Sequence, residues 1–309
     1  MEVRSYFAAT HPLARLILLG ALMLGGMLVV LVLGMLAALP FMGGEILALA
    51  GGEGLAPGPE NLNLMRYVQV LSHLGLFVVP SLLFAWMLSP RPMRYLALHR
   101  MPRGKGLLLA LGIMLAALPV VGLLMHWNQQ LSLPGFLQGL EDWMRRSEAA
   151  AEEMTMFFLR VDSWQGLLFN LFMIAILPAI GEELLFRGLI QKLVREWTRS
   201  DHLAVVITAV LFSAMHMQFL SFLPRLGLGV VLGYLLVWSG KLWLPVLAHF
   251  FNNAAALLVY YLHHRGVIDY DMEEIGLGLG GVLLAATGLV VLFWLFYWYR
   301  RTEYRPEAG

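Results

Sequence analysis

The chain of 309 residues has no cysteine. That excludes disulfides, cysteine-ligated zinc, iron–sulfur clusters and a thiol nucleophile. Charge is scarce as well. Asp, Glu, Lys and Arg make up 13% of the residues, about half the share found in ordinary soluble domains. The formal net charge is +1 and the basic residues form no run, so no nucleic-acid partner is expected. A His-Glu-x-x-His pattern is missing, which removes the zincin signature. No repeat on the scale of roughly 20–50 residues is visible, nor any low-complexity tract. The glycines at 276, 278, 280 and 281 open an apolar run and follow no strand, which argues against a dinucleotide loop.

What the chain has in quantity is hydrophobic surface, in 60% of its residues. Eight apolar stretches reach the ~20 residues that a bilayer requires: 16–41, 67–89, 106–126, 165–190, 203–221, 223–240, 242–262 and 277–299. The expected fold is therefore all-α, a polytopic membrane protein with about eight transmembrane helices embedded in a lipid bilayer. The first run is far longer than the ~7–15-residue core of a signal peptide, so it reads as a retained span. Placing the N-terminus in the cytoplasm puts most of the 21 Lys and Arg residues, from Arg4 to Arg305, on cytoplasmic segments. Acidic residues such as Glu53 and the stretch Asp269 to Glu274 then fall outside, with both termini inside. That topology suits a multi-pass membrane protein.

Two loops stand out. Gly43 to Met65 is rich in glycine and proline and reads as irregular. Between Pro134 and Asp162, Phe136, Leu137, Leu140, Trp143 and Met144 recur at helical spacing, which predicts an amphipathic helix on the outer membrane surface. Gly229 and Gly233 form a small-xxx-small pair, expected to serve helix packing. The organisation is then an N-terminal part at 1–162, a motif-bearing core of four spans at 163–262, and a last span with its tail at 263–309.

The informative residues are polar groups inside apolar runs. In LPAIGEELLFRGLIQK, Glu182, Glu183 and Arg187 sit where each ionised group costs about 2.5–3.5 kcal/mol to insert. Adjacent helical residues diverge by about 100°, so the two carboxylates cannot share a direction. Glu183 and Arg187 are four apart and expected to pair, leaving Glu182 to face another helix. Pro178 is expected to loosen the helix one turn before it. His216, four residues after Phe212, lies on the next span. His249 and Asn253, also four apart, lie two spans later, with Asn252 pointing elsewhere. Each piece alone reads as glue between helices. Together, a carboxylate, two imidazoles and an amide at one depth are what hydrolysis uses. The carboxylate takes a proton from water, the imidazoles hold that water directly or through a metal, and an amide stabilises an oxyanion.

The three motifs Glu182-Glu183-x-x-x-Arg187, Phe212-x-x-x-His216 and His249-x-x-x-Asn253, in this order on separate spans, resemble the CAAX-protease and bacteriocin-processing (Abi) family of intramembrane endopeptidases. The resemblance covers about residues 163–262. It implies that Glu182 is the general base and that Glu183 holds Arg187 and orients the helix. It further implies that His216 and His249 bind the water or a divalent metal such as zinc, and that Asn253 supports the oxyanion. The implied partner is a peptide or membrane-protein substrate, and an unprenylated tail is expected in a bacterial member. His249, near the cytoplasmic end of its span, points to a site opening towards the cytoplasm. Nothing in the sequence assigns an oligomeric state. The rival readings are a transporter or proton relay, which also uses intramembrane Glu, Arg and His, and a non-catalytic immunity or scaffold protein.

Overall fold

The computed structural model describes residues 10–51, 58–161, 163–268 and 278–303. Arg4, Glu53, the Asp269 to Glu274 stretch, Gly276 and Arg305 lie outside the described residues. Within them the chain is helical, and no strand occurs. The elements used below are α1 (Pro12–Ala50), α2 (Leu62–Leu88), α3 (Gly104–Gln129), α4 (Gln138–Leu159) and α5 (Trp164–Thr198). They continue with α6 (Asp201–Met215), α7 (Phe222–Ser239), α8 (Trp243–His264) and α9 (Gly278–Glu303). This is an all-α polytopic membrane protein. Seven of these helical segments are long and apolar enough to cross a bilayer.

The eighth expected span differs. Residues 203–221 read as one apolar run, but α6 has 15 residues and stops at Met215. At 1.5 Å per residue that is about 22 Å, short of the ~30 Å hydrocarbon thickness. The chain then turns back through residues 216–221 into α7. The irregular loop expected from Gly43 is also shorter. Helix α1 continues to Ala50, bent at Met42 (φ −133°) two residues after Pro40. Proline removes a backbone donor and crowds the preceding turn, which accounts for the bend.

Local signals explain several ends. Ser163 and Ser200 accept from Gly166 N and Leu203 N, capping α5 and α6. Helix α7 ends at Gly240, whose φ of +60° is left-handed backbone that glycine adopts freely. The amphipathic helix forms as α4. Its first turn is tied down by Glu141, which accepts from Leu133 N at 2.7 Å and from Arg145. Those donors hold the Glu141 carboxyl below the usual carboxylate range, the Leu133 N–H most of all.

Helix α5 sits between two apolar cores. One side gathers Leu19, Phe84, Leu184, Phe186, Leu189, Phe212 and Leu242 from α1, α2, α5, α6 and the start of α8. The other joins α3, α7, α8 and α9 through Ile113, Met114, Leu232, Leu235, Ala248 and Tyr299. Close approach is built in at small residues. A Cβ on Gly229 would lie 2.9 Å from Ala209 Cβ of α6, and one on Gly233 would lie 2.9 Å from Val205 Cγ1. The small-xxx-small pair therefore does serve packing. On the opposite flank, a Cβ on Gly181 would fall 2.7 Å from His73 Nε2, so α2 rests directly against α5 beside Glu182.

Candidate active site

Helix α5 is long and internally irregular. It passes through two π-helical turns, Leu171–Ile176 and Phe186–Ile190, on either side of the regular segment Leu177–Leu185. Such turns shift the side-chain register and cluster at functional positions. Pro178 lies just inside the regular segment. Glu182 and Glu183 diverge as their helical offset requires. Glu183 is fully buried, and its Oε1 accepts from Arg187 Nη1 at 2.8 Å. Arg187 is buried too; its Nη2 donates to Gly229 O at 3.0 Å, and its guanidinium lies 4.6 Å from the centre of the Phe212 ring. Gln191, one turn further, donates to Gly233 O at 3.1 Å. Buried charges persist when paired and hydrogen-bonded; this floor pairs its charges, while Glu183 Oε2, Arg187 Nε and Gln191 Oε1 are buried without a partner among the described residues.

Glu182 faces the other way, towards two imidazoles. His249 of α8 places Nδ1 at 2.9 Å from Glu183 Oε1 and Nε2 at 4.0 Å from Glu182 Oε2. His216, the residue that ends α6, places Nδ1 at 2.8 Å from Phe212 O and Nε2 at 3.9 Å from Glu182 Oε2. A backbone carbonyl only accepts, and so does a carboxylate already paired with arginine. Both Nδ1 atoms therefore carry the hydrogen, and both rings turn Nε2 towards Glu182. Phe212 packs edge-on against both rings, with centroids 5.0 and 5.9 Å away. Asn253 Nδ2 donates to Ile174 O, in the first π-turn, at 3.3 Å. All six residues singled out from the motifs thus meet in one place.

A cavity of about 360 Å³ lies over Glu182, His216, His249 and Asn253. It also reaches residues that the sequence reading did not select: Gln69 of α2, Thr155 of α4, and Arg225 and Leu228 of α7. Asn252, expected to point away, lines it as well and donates to Asn253 Oδ1. Only contacts between distant helices reveal these residues; none sits in a local pattern. Thr155 and Gln69 line the cavity on the side of α4. Towards the other face, Glu183, Arg187, Gln191 and Leu193 are buried and close the floor. His249 lies in the second turn of α8 and lines this cavity.

Residues 164–255 match the family model described as type II CAAX prenyl endopeptidase Rce1-like. Over this segment the chain is similar to that family. The match contains all six motif residues, so the resemblance read from them holds here. The chain is also 32% identical over 101 residues to a Bacillus subtilis (strain 168) protein described as "Uncharacterized protein YpbD". That alignment covers 31% of this chain and 49% of YpbD, so the chain spans about half the length of the curated relative that it matches. No solved structure matches the chain.

Glu182, His216 and His249 are the donors that a metal would meet here. A tetrahedral shell with bonds of ~2.1 Å has ligand atoms ~3.4 Å apart. Glu182 Oε2 stands 3.9 and 4.0 Å from the two Nε2 atoms, wider than that edge. Among the described residues no three His, Asp or Glu side chains form a group able to hold an ion. The arrangement does not fit a preformed metal centre. It does fit a water: separations beyond 3.5 Å between convergent polar atoms are those that one water bridges.

Proposed function

We propose that this chain is an intramembrane endopeptidase, related to the CAAX proteases, that hydrolyses a peptide bond of a membrane-associated protein or peptide. The observation that carries the reading is the convergence of Glu182 Oε2 with the Nε2 atoms of His216 and His249, at 3.9 and 4.0 Å, on a cavity within the helix bundle. A water held there donates to Glu182 and to one imidazole. Glu182 removes its proton, and the oxygen attacks the substrate carbonyl carbon. The amide of Asn253 has a second N–H besides the one given to Ile174, and this stabilises the oxyanion. Glu182 then returns the proton to the leaving nitrogen as the C–N bond breaks, giving a carboxyl and an amine. Glu183 acts through His249, fixing its tautomer, while Arg187 neutralises Glu183.

The preferred substrate class is an unprenylated peptide or membrane-protein tail. We place the chain in a bacterial inner membrane with both termini cytoplasmic, by the sorting of its basic residues, with α6 and α7 forming one hairpin that enters and leaves on the same side. The cavity then receives substrate from the α4 side. The test is cleavage of a pool of membrane-tail peptides by the purified protein in lipid, with Glu182→Gln alongside and with chelator in a parallel arm. Cleavage by the wild type alone, with both proteins equally folded, is expected. Equal products from both would remove Glu182 from its role. Loss of cleavage with chelator would overturn the metal-free mechanism.

A further inference from the structure

The turn that carries His216 is held from outside its own helices. Residues 216–221 run between α6 and α7; His216 N and Met217 N still bond back to Ser213 O and Ala214 O, and the backbone groups beyond them need partners from elsewhere. Helix α4 supplies several. Glu148 Oε2 accepts from Leu220 N at 3.0 Å, and Glu148 Oε1 accepts from Ser221 Oγ. Ser147 Oγ donates to Met217 O at 3.1 Å, and Trp143 packs on Phe219 with ring centroids 5.2 Å apart. Asn128 of α3 completes the set, donating to Phe219 O at 2.8 Å and accepting from Leu223 N at 2.6 Å. Met217, next to His216, has a φ of +53°. A side chain other than glycine stays in that left-handed conformation when its surroundings impose it. Thr155, two helical turns beyond Glu148 on the same face, lines the cavity. One face of α4 therefore both grips the His216 turn and roofs the site.

We infer that Glu148 is a positioning residue: it latches α4 to residues 220–221, and so fixes His216 and keeps the cavity roofed. This rests on the proteolytic reading for its catalytic consequence, but not for the roof itself. The latch works by geometry and not by charge. Arg225, the nearby cation, gives its fork to Gln218; Glu148 acts on it through charge at longer range and accepts no hydrogen bond from it among the described residues. Glutamine at position 148 could accept from Leu220 N with Oε1 and donate to Ser221 Oγ with Nε2, whose hydroxyl can turn to receive it. Alanine could do neither.

The test uses the full chain in lipid, with Glu148→Ala, Glu148→Gln and the milder Ser221→Ala. The first readout is kinetic, on the best-cleaved peptide of the tail pool. Glu148→Ala should lower kcat about 10–100-fold with KM changed less than about 3-fold, as for a catalytic group displaced by about an ångström. Glu148→Gln should stay near wild type. The second readout needs no chemistry. The chain lacks cysteine, so Leu228→Cys makes one reporter thiol in the cavity wall. A small methanethiosulfonate reagent should label it about 10-fold faster or more with Glu148→Ala, because two hydrogen bonds holding the roof are gone. The Gln variant should label at the wild-type rate. If Gln is as damaging as Ala, the role is charge and the latch is wrong. If Ala changes neither readout, there is no latch. Faster labelling with unchanged kcat would leave a roof and overturn the positioning of His216. Should Glu148→Ala fail to fold, Ser221→Ala, which removes one of the two bonds, must show a smaller change of the same sign. If the wild type cleaves no peptide, the proteolytic reading fails by itself and the labelling ratio still decides the latch.

Discussion

Helices α1 and α5 are both longer than a bilayer needs, and they use the excess in opposite ways. The most apolar window of α1 is only 6% buried inside the protein, whereas half of the corresponding window of α5 is buried. Helix α1 shows Ile17, Leu24, Leu28 and Leu33 on its surface. Helix α5 encloses Glu182, Glu183, Arg187 and Gln191. In water the most apolar helix would be the most buried. In lipid the solvent is itself apolar, so hydrophobicity alone drives no helix inward, and packing and polar contacts decide what lies at the centre. The least uniform span is therefore the one around which the others assemble.

This contrast can be broken or sharpened by substitution. The largest effect belongs to Glu182→Gln, which should lower peptide cleavage by about 10²–10⁴, the usual worth of a general base. Its thermal unfolding in detergent should match the wild type, and matched loss of folding would return Glu182 to the structural floor. Next is Arg187→Met. It leaves the Glu183 carboxylate buried without its cation, at a cost of about 3–5 kcal/mol. The double variant Glu183→Gln/Arg187→Met should be more stable than Arg187→Met alone, read by the unfolding midpoint; equal midpoints would show that the pair is not coupled. A smaller loss, about 1–2 kcal/mol, is expected for Gly181→Ala, because the new methyl meets His73 Nε2 and Phe77 Cβ at 2.7 and 3.0 Å. An unchanged midpoint there would mean that α2 can retreat from α5. The smallest effect should come from Leu24→Ala on α1, where the side chain is 71% exposed. A shift beyond about 0.5 kcal/mol would show that this face is covered by something other than lipid.

Much of the site was legible because its logic is local. The Glu183–Arg187 pair follows from a spacing of four, and the divergence of Glu182 follows from a step of one. Phe212 and His216 are joined by a bond from His216 Nδ1 to a carbonyl one turn back. The helix end at Met215 was not legible. His216 to Ser221 reads MHMQFLS when joined to the preceding methionine, apolar enough to extend a hydropathy run, which registers composition and not the path of the backbone. Asn252 was misplaced because the cavity wraps around α8 further than the single stripe of His249 and Asn253 suggests.

The sequence by itself determined the number and order of the apolar helices, the amphipathic α4 and the residues of the three motifs, since each depends on periodicities within one segment. Only the tertiary structure decided that α6 stops within the bundle, that the cavity opens beneath α4, and that Glu148 and Asn128 hold the turn bearing His216. Those contacts join residues 72 and 91 positions apart. Their partners are backbone groups, which every residue carries alike, so no side-chain pattern could announce them.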